Sequence, residues 1–196
     1  MEIIRAAVTD DIYRLLEGTQ YDKYWECFKL RKDEVLVNCG SASGDTILKF
    51  LLKNQGFEKI YAFEGNLSEY SQLVTIINEL PNQYIERIET VNEYIGLEAS
   101  TESFNHKFNQ KKLTLINMDI EGAEMGVLKG ASEIIVSQRP VMAVCAYHKA
   151  ADLIEIPFFI DSVVNDYYIY LRKYKGYEPN ALNEWLYYLV PKERAI

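Results

Sequence analysis

From Glu34 onward the apolar residues of this 196-residue chain fall into short runs, separated by turns and by stretches of helical spacing. Val35 to Val37 is a run that stops at Asn38 and Gly40, and the pattern behind it predicts a helix over Thr46 to Asn54. Lys59 to Phe63 predicts a second strand, Ser68 to Glu79 a second helix, and Ile85 to Val91 a third strand. After a polar stretch from Glu98 to Lys112, the apolar run Leu113 to Ile116 predicts a central strand buried on both faces, entering a tight turn. A helix ending near Ser137 and a strand over Val141 to Ala146 follow, the strand terminating in Tyr147 and His148. Asp152 is expected to cap a helix running to Val164, in which Pro157 either lies early or makes a kink. Tyr168 to Tyr174 and Glu184 to Val190 predict two strands joined through Gly176 and Pro179 as an antiparallel hairpin. Such alternation of strand and helix implies an α/β fold, a parallel sheet with helices on both faces. Ahead of Asp33, Ile12, Leu15, Leu16, Trp25, Phe28 and Leu30 have mixed helical spacing. No repeat or linker interrupts the series, so one domain is expected over 1–196, with a helical segment at 1–32 and the core at 33–196.

In open α/β sheets ligands bind beyond the carboxyl ends of the strands, so the polar residues at predicted strand tips are the candidates. The first tip carries Asn38, Gly40, Ser41, Gly44, Asp45 and Thr46, a strand-turn-helix with glycines where a backbone can come close to another group. The unpaired N–H groups of the helix that follows suit a carboxylate or phosphate. Glu64, at the tip of the second strand, suits the paired hydroxyls of a ribose, and Gly65 and Asn66 turn the chain after it. The two strand tips together point to an adenosyl cofactor. The plainer alternative is that Gly40 and Gly44 only make a tight turn and that Glu64 caps the helix near Ser68. Asn92, Asp119, Glu121 and His148 occupy later tips. Two carboxylates and an imidazole suit removal of a proton from a hydroxyl nucleophile, or the holding of a divalent metal. Asp119 as a helix cap and His148 as a loop histidine are the competing structural readings.

A formal net charge of -8 argues against broad affinity for nucleic acid or anionic lipid. No apolar run is of membrane length, and Met1-Glu-Ile-Ile-Arg5 lacks the features of a secretory signal, so a cytoplasmic protein is expected. Cys27, Cys39 and Cys145 lie apart and read as buried free thiols, with neither a disulfide nor a zinc framework.

Asn117-Met-Asp-Ile-Glu-Gly-Ala-Glu124, Val127-Leu-Lys-Gly-Ala131, Arg139-Pro140, Ala146-Tyr-His-Lys149 and Asp152-Leu-x-x-Ile156-Pro157 together resemble the FkbM family of methyltransferases. Val37-Asn-Cys-Gly-Ser-Ala-Ser-Gly-Asp-Thr46 and Tyr61-Ala-Phe-Glu64 are similar to that family's first two cofactor motifs, and the likeness extends over about Glu34 to Val190. The resemblance implies a class I, Rossmann-like, seven-stranded sheet that binds S-adenosylmethionine and transfers methyl to oxygen, on a hydroxyl of a sugar, polysaccharide or natural product. It further implies that Gly40 and Gly44 line the methionine part, Glu64 binds the ribose, Asn92 lies near the adenine, and Asp119 lies near the sulfonium and the acceptor. Two departures stand out: Asn38 replaces an aspartate usual at that point, keeping an amide oxygen but losing the charge, and the stretch between Val91 and Leu113 is short for the family.

On this reading Asp119, Glu121 and His148 hold the acceptor, and His148 or Asp119 takes its proton. A degenerate fold that binds cofactor or a partner without catalysis is the alternative, favoured by Asn38 and the short middle segment. A dinucleotide-dependent oxidoreductase is disfavoured, because the first turn lacks the G-x-G-x-x-G spacing. The aromatic tail, Tyr167, Tyr168, Tyr170, Tyr174, Tyr177, Trp185, Tyr187 and Tyr188, suits hairpin packing, with sugar stacking or a homodimer surface as the other readings.

Overall fold

The structure, a computed structural model, describes residues 23–96, 105–106, 108, 110–174 and 184–196. Most of the predicted N-terminal helical segment, much of the polar stretch before Leu113, and the hairpin loop with Gly176, Tyr177 and Pro179 therefore lie outside the described residues. Seven strands, β1 (Val35–Cys39), β2 (Lys59–Phe63), β3 (Ile88–Val91), β4 (Leu115–Met118), β5 (Val141–Cys145), β6 (Tyr167–Tyr174) and β7 (Glu184–Pro191), form one sheet in the order β3-β2-β1-β4-β5-β7-β6. The chain divides into two compact units, Leu30–Pro140 and the described residues of Met1–Lys29 with Val141–Ile196.

In Leu30–Pro140, β1 (Val35–Cys39) is flanked in parallel by β2 (Lys59–Phe63) and β4 (Leu115–Met118), and β3 (Ile88–Val91) adds to β2. Every residue of β1 and β4 is buried, as a near-continuous apolar run in a parallel sheet requires. Helix α1 (Asp45–Lys53) buries Ile47, Phe50 and Leu51, and α2 (Leu67–Asn78) buries Leu73 and Ile77, each side chain contributing about 1.5–3 kcal/mol relative to exposure. A one-turn helix, α3 (Asn82–Ile85), stands where the third strand was expected to begin. Pro81 is the reason: its carbonyl accepts from the Tyr84 and Ile85 N–H groups at 2.8 and 3.3 Å, so the chain turns before it extends. After β4 come α4 (Glu124–Gly130) and α5 (Ser132–Gln138).

At the entry to β1 and β4 a fully buried carboxylate joins the two strands. Glu34 accepts from the Arg31 N–H at 2.8 Å and from the Thr114 hydroxyl, while the Thr114 oxygen accepts from the Val35 N–H at 2.8 Å.

In the other unit β5 (Val141–Cys145) pairs antiparallel with β7 (Glu184–Pro191), which pairs antiparallel with β6 (Tyr167–Tyr174), and α6 (Asp152–Val163) lies between β5 and β6 in sequence. Asp152 is not the cap of α6, as expected, but its first residue; Ala151 holds the cap position and the Asp152 side chain is buried. Pro157 lies inside the helix. The aromatic tail packs for the most part: Tyr167, Tyr174, Tyr187 and Tyr188 are buried, while Tyr168 remains exposed. The Tyr188 hydroxyl accepts from the Tyr24 N–H at 2.9 Å and lies 2.6 Å from the Tyr174 hydroxyl, and burial pushes the Tyr187 phenol up to about 12. Cys27, Cys39 and Cys145 are buried and form no disulfide. Among the described residues no helix is long and apolar enough to cross a membrane.

Thr114→Val removes the hydroxyl that serves both Glu34 and the Val35 N–H, and leaves a buried carboxylate short of a donor. The expected loss is about 1–3 kcal/mol in urea unfolding, with secondary structure retained; an unchanged midpoint would exclude the clasp as a stabilising contact.

Candidate active site

Residues 38–46 fold as a loop that crosses from β1 to α1 with left-handed backbone at Gly40, Ala42 and Gly44, φ 79°, 44° and 104°. The Gly40 and Ser41 N–H groups both donate to the Phe63 carbonyl, at 3.0 and 2.9 Å, which draws the loop toward the exit of β2. Gly40 is required for a reason other than ligand access: a Cβ there would lie 1.9 Å from the Asp119 carbonyl oxygen. The exits of β1 and β4 thus touch backbone to backbone, and the Asp119 N–H donates to the Cys39 carbonyl at 3.0 Å. Gly44 is the N-cap residue of α1, and no side chain caps that helix. The first-turn N–H groups at Asp45 and Thr46 are therefore not taken up by a side-chain cap.

Glu64 does not cap the helix that follows. Asn66 does, its side-chain oxygen accepting from the Ser68 and Glu69 N–H groups at 2.9 and 3.2 Å. The Glu64 carboxylate accepts instead from the Ala42 N–H and the Asn66 N–H, both at 2.8 Å. Two backbone donors from two different loops fix the carboxylate at the tip of β2. The Asn92 amide donates to the Glu64 and Gly65 carbonyls at 2.8 and 3.3 Å, tying the exit of β3 to that of β2. Beyond it, Gly96 packs on the start of α4: a Cβ on Gly96 would lie 2.7 Å from the Ala123 Cβ, and one on Gly126 would lie 2.8 Å from the Gly96 carbonyl oxygen. Four strand-exit loops are joined in a closed circuit, β1 to β4 through Gly40, β1 to β2 through Glu64, β2 to β3 through Asn92, and β3 back to the β4 side through Gly96.

The predicted site residues Asn38, Gly40, Ser41, Gly44, Asp45, Thr46, Glu64, Gly65, Asn66, Asn92, Asp119 and Glu121 all lie in Leu30–Pro140. Within that set Asn38 and Ser41 face inward. Both are 2% exposed, and the Asn38 amide donates to the Ser41 hydroxyl at 2.8 Å, so they brace the loop from beneath. Asp119 is half-buried at the end of β4. It does not cap α4, whose cap position is Ala123 with no side-chain bond. The Glu124 carboxylate serves that turn by accepting from the Ile120 N–H at 3.1 Å. Glu121 is exposed, with φ 55° in the tight turn ahead of α4. His148 lies in the other unit, half-buried after β5, its ring 4.2 Å from that of Tyr147. Beneath Gly40, burial and then the Glu124 carboxylate hold the Cys39 thiol far above the usual range, which makes it an inert packing group. Among the described residues no three His, Cys, Asp or Glu side chains are grouped to hold a metal ion.

Two residues not anticipated from the sequence belong to this end of the sheet. Asn117 stands level with Asn38 across β1 and β4, 2% exposed, with neither side-chain atom hydrogen-bonded. A polar residue inside the run Leu115 to Met118 is the available signal. Tyr94, 62% exposed, lies against Gly65; nothing in its sequence spacing marks it.

Residues 82–186, more than half of the chain, match the family described as the methyltransferase FkbM domain. No curated protein matches the chain. Among solved structures, the chain is similar to a methyltransferase FkbM from Methylobacillus flagellatus, with 22% identity and a TM-score of 0.73 over 95% of this chain. It spans about half of that protein, 52% of its length. An rRNA methylase from Streptococcus thermophilus is 16% identical, TM-score 0.58, over 83% of this chain and 89% of that one. A Streptococcus mutans protein assigned as a methyltransferase and solved with SAH is 10% identical, TM-score 0.53, over 84% and 91% of the two chains. At these identities the likeness establishes the fold, that of class I methyltransferases.

Gly40→Ala forces a methyl group into the Asp119 carbonyl at a left-handed backbone position. Strain of about 1–3 kcal/mol is expected from the backbone conformation alone, with the steric clash adding to it. Thermal unfolding should show a lower midpoint than for Ser43→Ala in the same loop; equal midpoints would mean that the two exits do not touch.

Proposed function

Since the chain belongs to the FkbM methyltransferase family, we propose that Leu30–Pro140 binds S-adenosylmethionine at its strand exits and that the protein methylates a hydroxyl of a sugar, polysaccharide or natural product. The observation that carries this reading is the Glu64 carboxylate, fixed at the tip of β2 by the Ala42 and Asn66 N–H groups, beside a helix start that no side chain caps. Those residues fit the cofactor's two polar ends. A carboxylate with its lone pairs oriented by backbone donors suits a ribose diol, and the first-turn N–H groups of α1 suit the carboxylate of the methionine part. Asn92, bonded to the Glu64 and Gly65 carbonyls, holds the turn on which the adenosyl part would rest.

S-adenosylmethionine supplies an electrophilic methyl group on a sulfonium. The chain's own contribution is positioning and proton removal. Asp119, half-buried where β4 ends, is the group assigned to orient the acceptor hydroxyl and accept its proton. Its negative charge also suits a cationic neighbour. Glu121, exposed two residues on, is assigned to the acceptor side. The acceptor in this reading is a small molecule or saccharide of the cytoplasm.

A second reading, cofactor or partner binding without catalysis, is favoured by Asn38, which is neutral, buried and bonded to Ser41. Calorimetric titration with S-adenosylmethionine, S-adenosylhomocysteine and NAD separates the possibilities. Saturable binding of the two adenosyl ligands and none of NAD is expected; the reverse preference would overturn the assignment. Glu64→Gln puts an amide NH2 where one of two backbone N–H groups finds its acceptor, so it should weaken S-adenosylhomocysteine binding about tenfold or more and lower the thermal midpoint as well. In a screen of hydroxylated acceptors, Asp119→Ala should retain ligand binding and lose turnover. Binding by both proteins with turnover by neither would select the non-catalytic reading.

A further inference from the structure

Tyr94 is a large aromatic side chain left mostly in solvent, at 62% exposure, on the loop that leaves β3. The loop is held on both sides of it. Two residues before, the Asn92 amide is bonded to the Glu64 and Gly65 carbonyls; two residues after, Gly96 is packed on Ala123 and Gly126, with Ile95 buried between. The ring itself lies on Gly65. A Cβ on that glycine would come within 2.3 Å of the Tyr94 Cγ and Cδ1 and 2.6 Å of Cε1. Gly65 is not among the glycines with positive φ, so its backbone does not call for glycine; the ring does. An exposed ring is usually free to sample rotamers and has little effect on its neighbours. Here two hydrogen bonds and a backbone contact hold the loop that carries the ring, and a glycine lets the ring lie next to the residue assigned to the ribose.

From this we infer that Tyr94 is a preset aromatic platform for a purine, stacking on the adenine of the adenosyl group, and that Gly65 is present to seat the ring. The inference rests on the reading of Glu64 given above. A ribose held by the Glu64 carboxylate carries its base within a few ångströms, and a flat ring beside the same turn offers that base a face that needs no hydrogen-bond readout. The ring adds affinity without altering the chemistry at Asp119, and its hydroxyl has no part in the stacking.

The test is calorimetric titration of S-adenosylhomocysteine into the wild-type chain, Tyr94→Phe, Tyr94→Ala and Gly65→Ala, with thermal midpoints measured alongside. Tyr94→Phe is expected to bind within about twofold of wild type, and Tyr94→Ala about tenfold or more weakly, as removal of a stacking partner for a base does. Gly65→Ala, which displaces the ring while leaving it in the chain, should show a loss similar to that of Tyr94→Ala, with both midpoints near wild type. Wild-type binding that Tyr94→Ala leaves unchanged would overturn the platform and leave the Glu64 reading standing. A weakening in Tyr94→Ala matched by an equal one in Tyr94→Phe would also overturn it, because it would assign the effect to the hydroxyl. Absence of wild-type binding would overturn the Glu64 reading and the platform with it.

Discussion

The end of the sheet that carries the candidate site depends on one close approach, that of Gly40 to the Asp119 carbonyl. Parallel strands β1 and β4 lie side by side, and their exits must diverge into a loop on one side and a turn on the other. Here they diverge only after touching. With no side chain at Gly40, the loop passes directly against the Asp119 carbonyl, and the Gly40 and Ser41 N–H groups reach the Phe63 carbonyl on β2. Once that is fixed, Ala42 stands where its N–H meets the Glu64 carboxylate. The Glu64 carboxylate is therefore oriented by a glycine two residues upstream of its donor and by a strand it does not belong to.

Loops ordinarily carry function on a rigid scaffold and are themselves mobile. The loops of Leu30–Pro140 are instead connected to one another, through Gly40, Glu64, Asn92 and Gly96. Two links are close contacts at glycines, Gly40 and Gly96, and two are single side chains bonded to backbone, Glu64 and Asn92, so no link requires two side chains to find each other. Preorganisation of this kind lowers the ordering cost of binding a small ligand.

Much of this is legible in the sequence, and the legible part has a common character. Strand and helix periodicity locates β1, β2, β5, β6 and β7 within one or two residues, because burial on both faces or in alternation leaves an unmistakable run. The start of β3 escapes it because Pro81 begins a helical turn whose residues, Tyr84 and Ile85, are as apolar as a strand. The same local logic assigns Asp152 and Glu64 to helix caps or tips by type alone; the structure gives capping of α2 to Asn66 and makes Asp152 the first residue of α6. Asn38 is a candidate by its place at a strand tip, but a side chain's direction alternates along a strand, and at that position it points into the interior.

What periodicity does not encode is which glycine serves which neighbour. Gly40 and Gly65 read alike as turn residues, yet one makes room for a carbonyl from β4 and the other for a ring from the loop after β3. Both neighbours are distant in sequence, at Asp119 and Tyr94, so neither constraint has a local signature. A substitution at either glycine is consequently a statement about a second element: at Gly40 about whether two strands can leave the sheet together, at Gly65 about where an aromatic ring can lie. The first bears on folding and the second on recognition, and the separation is physical, since the Asp119 carbonyl is backbone that cannot move aside while the Tyr94 ring is a side chain that can.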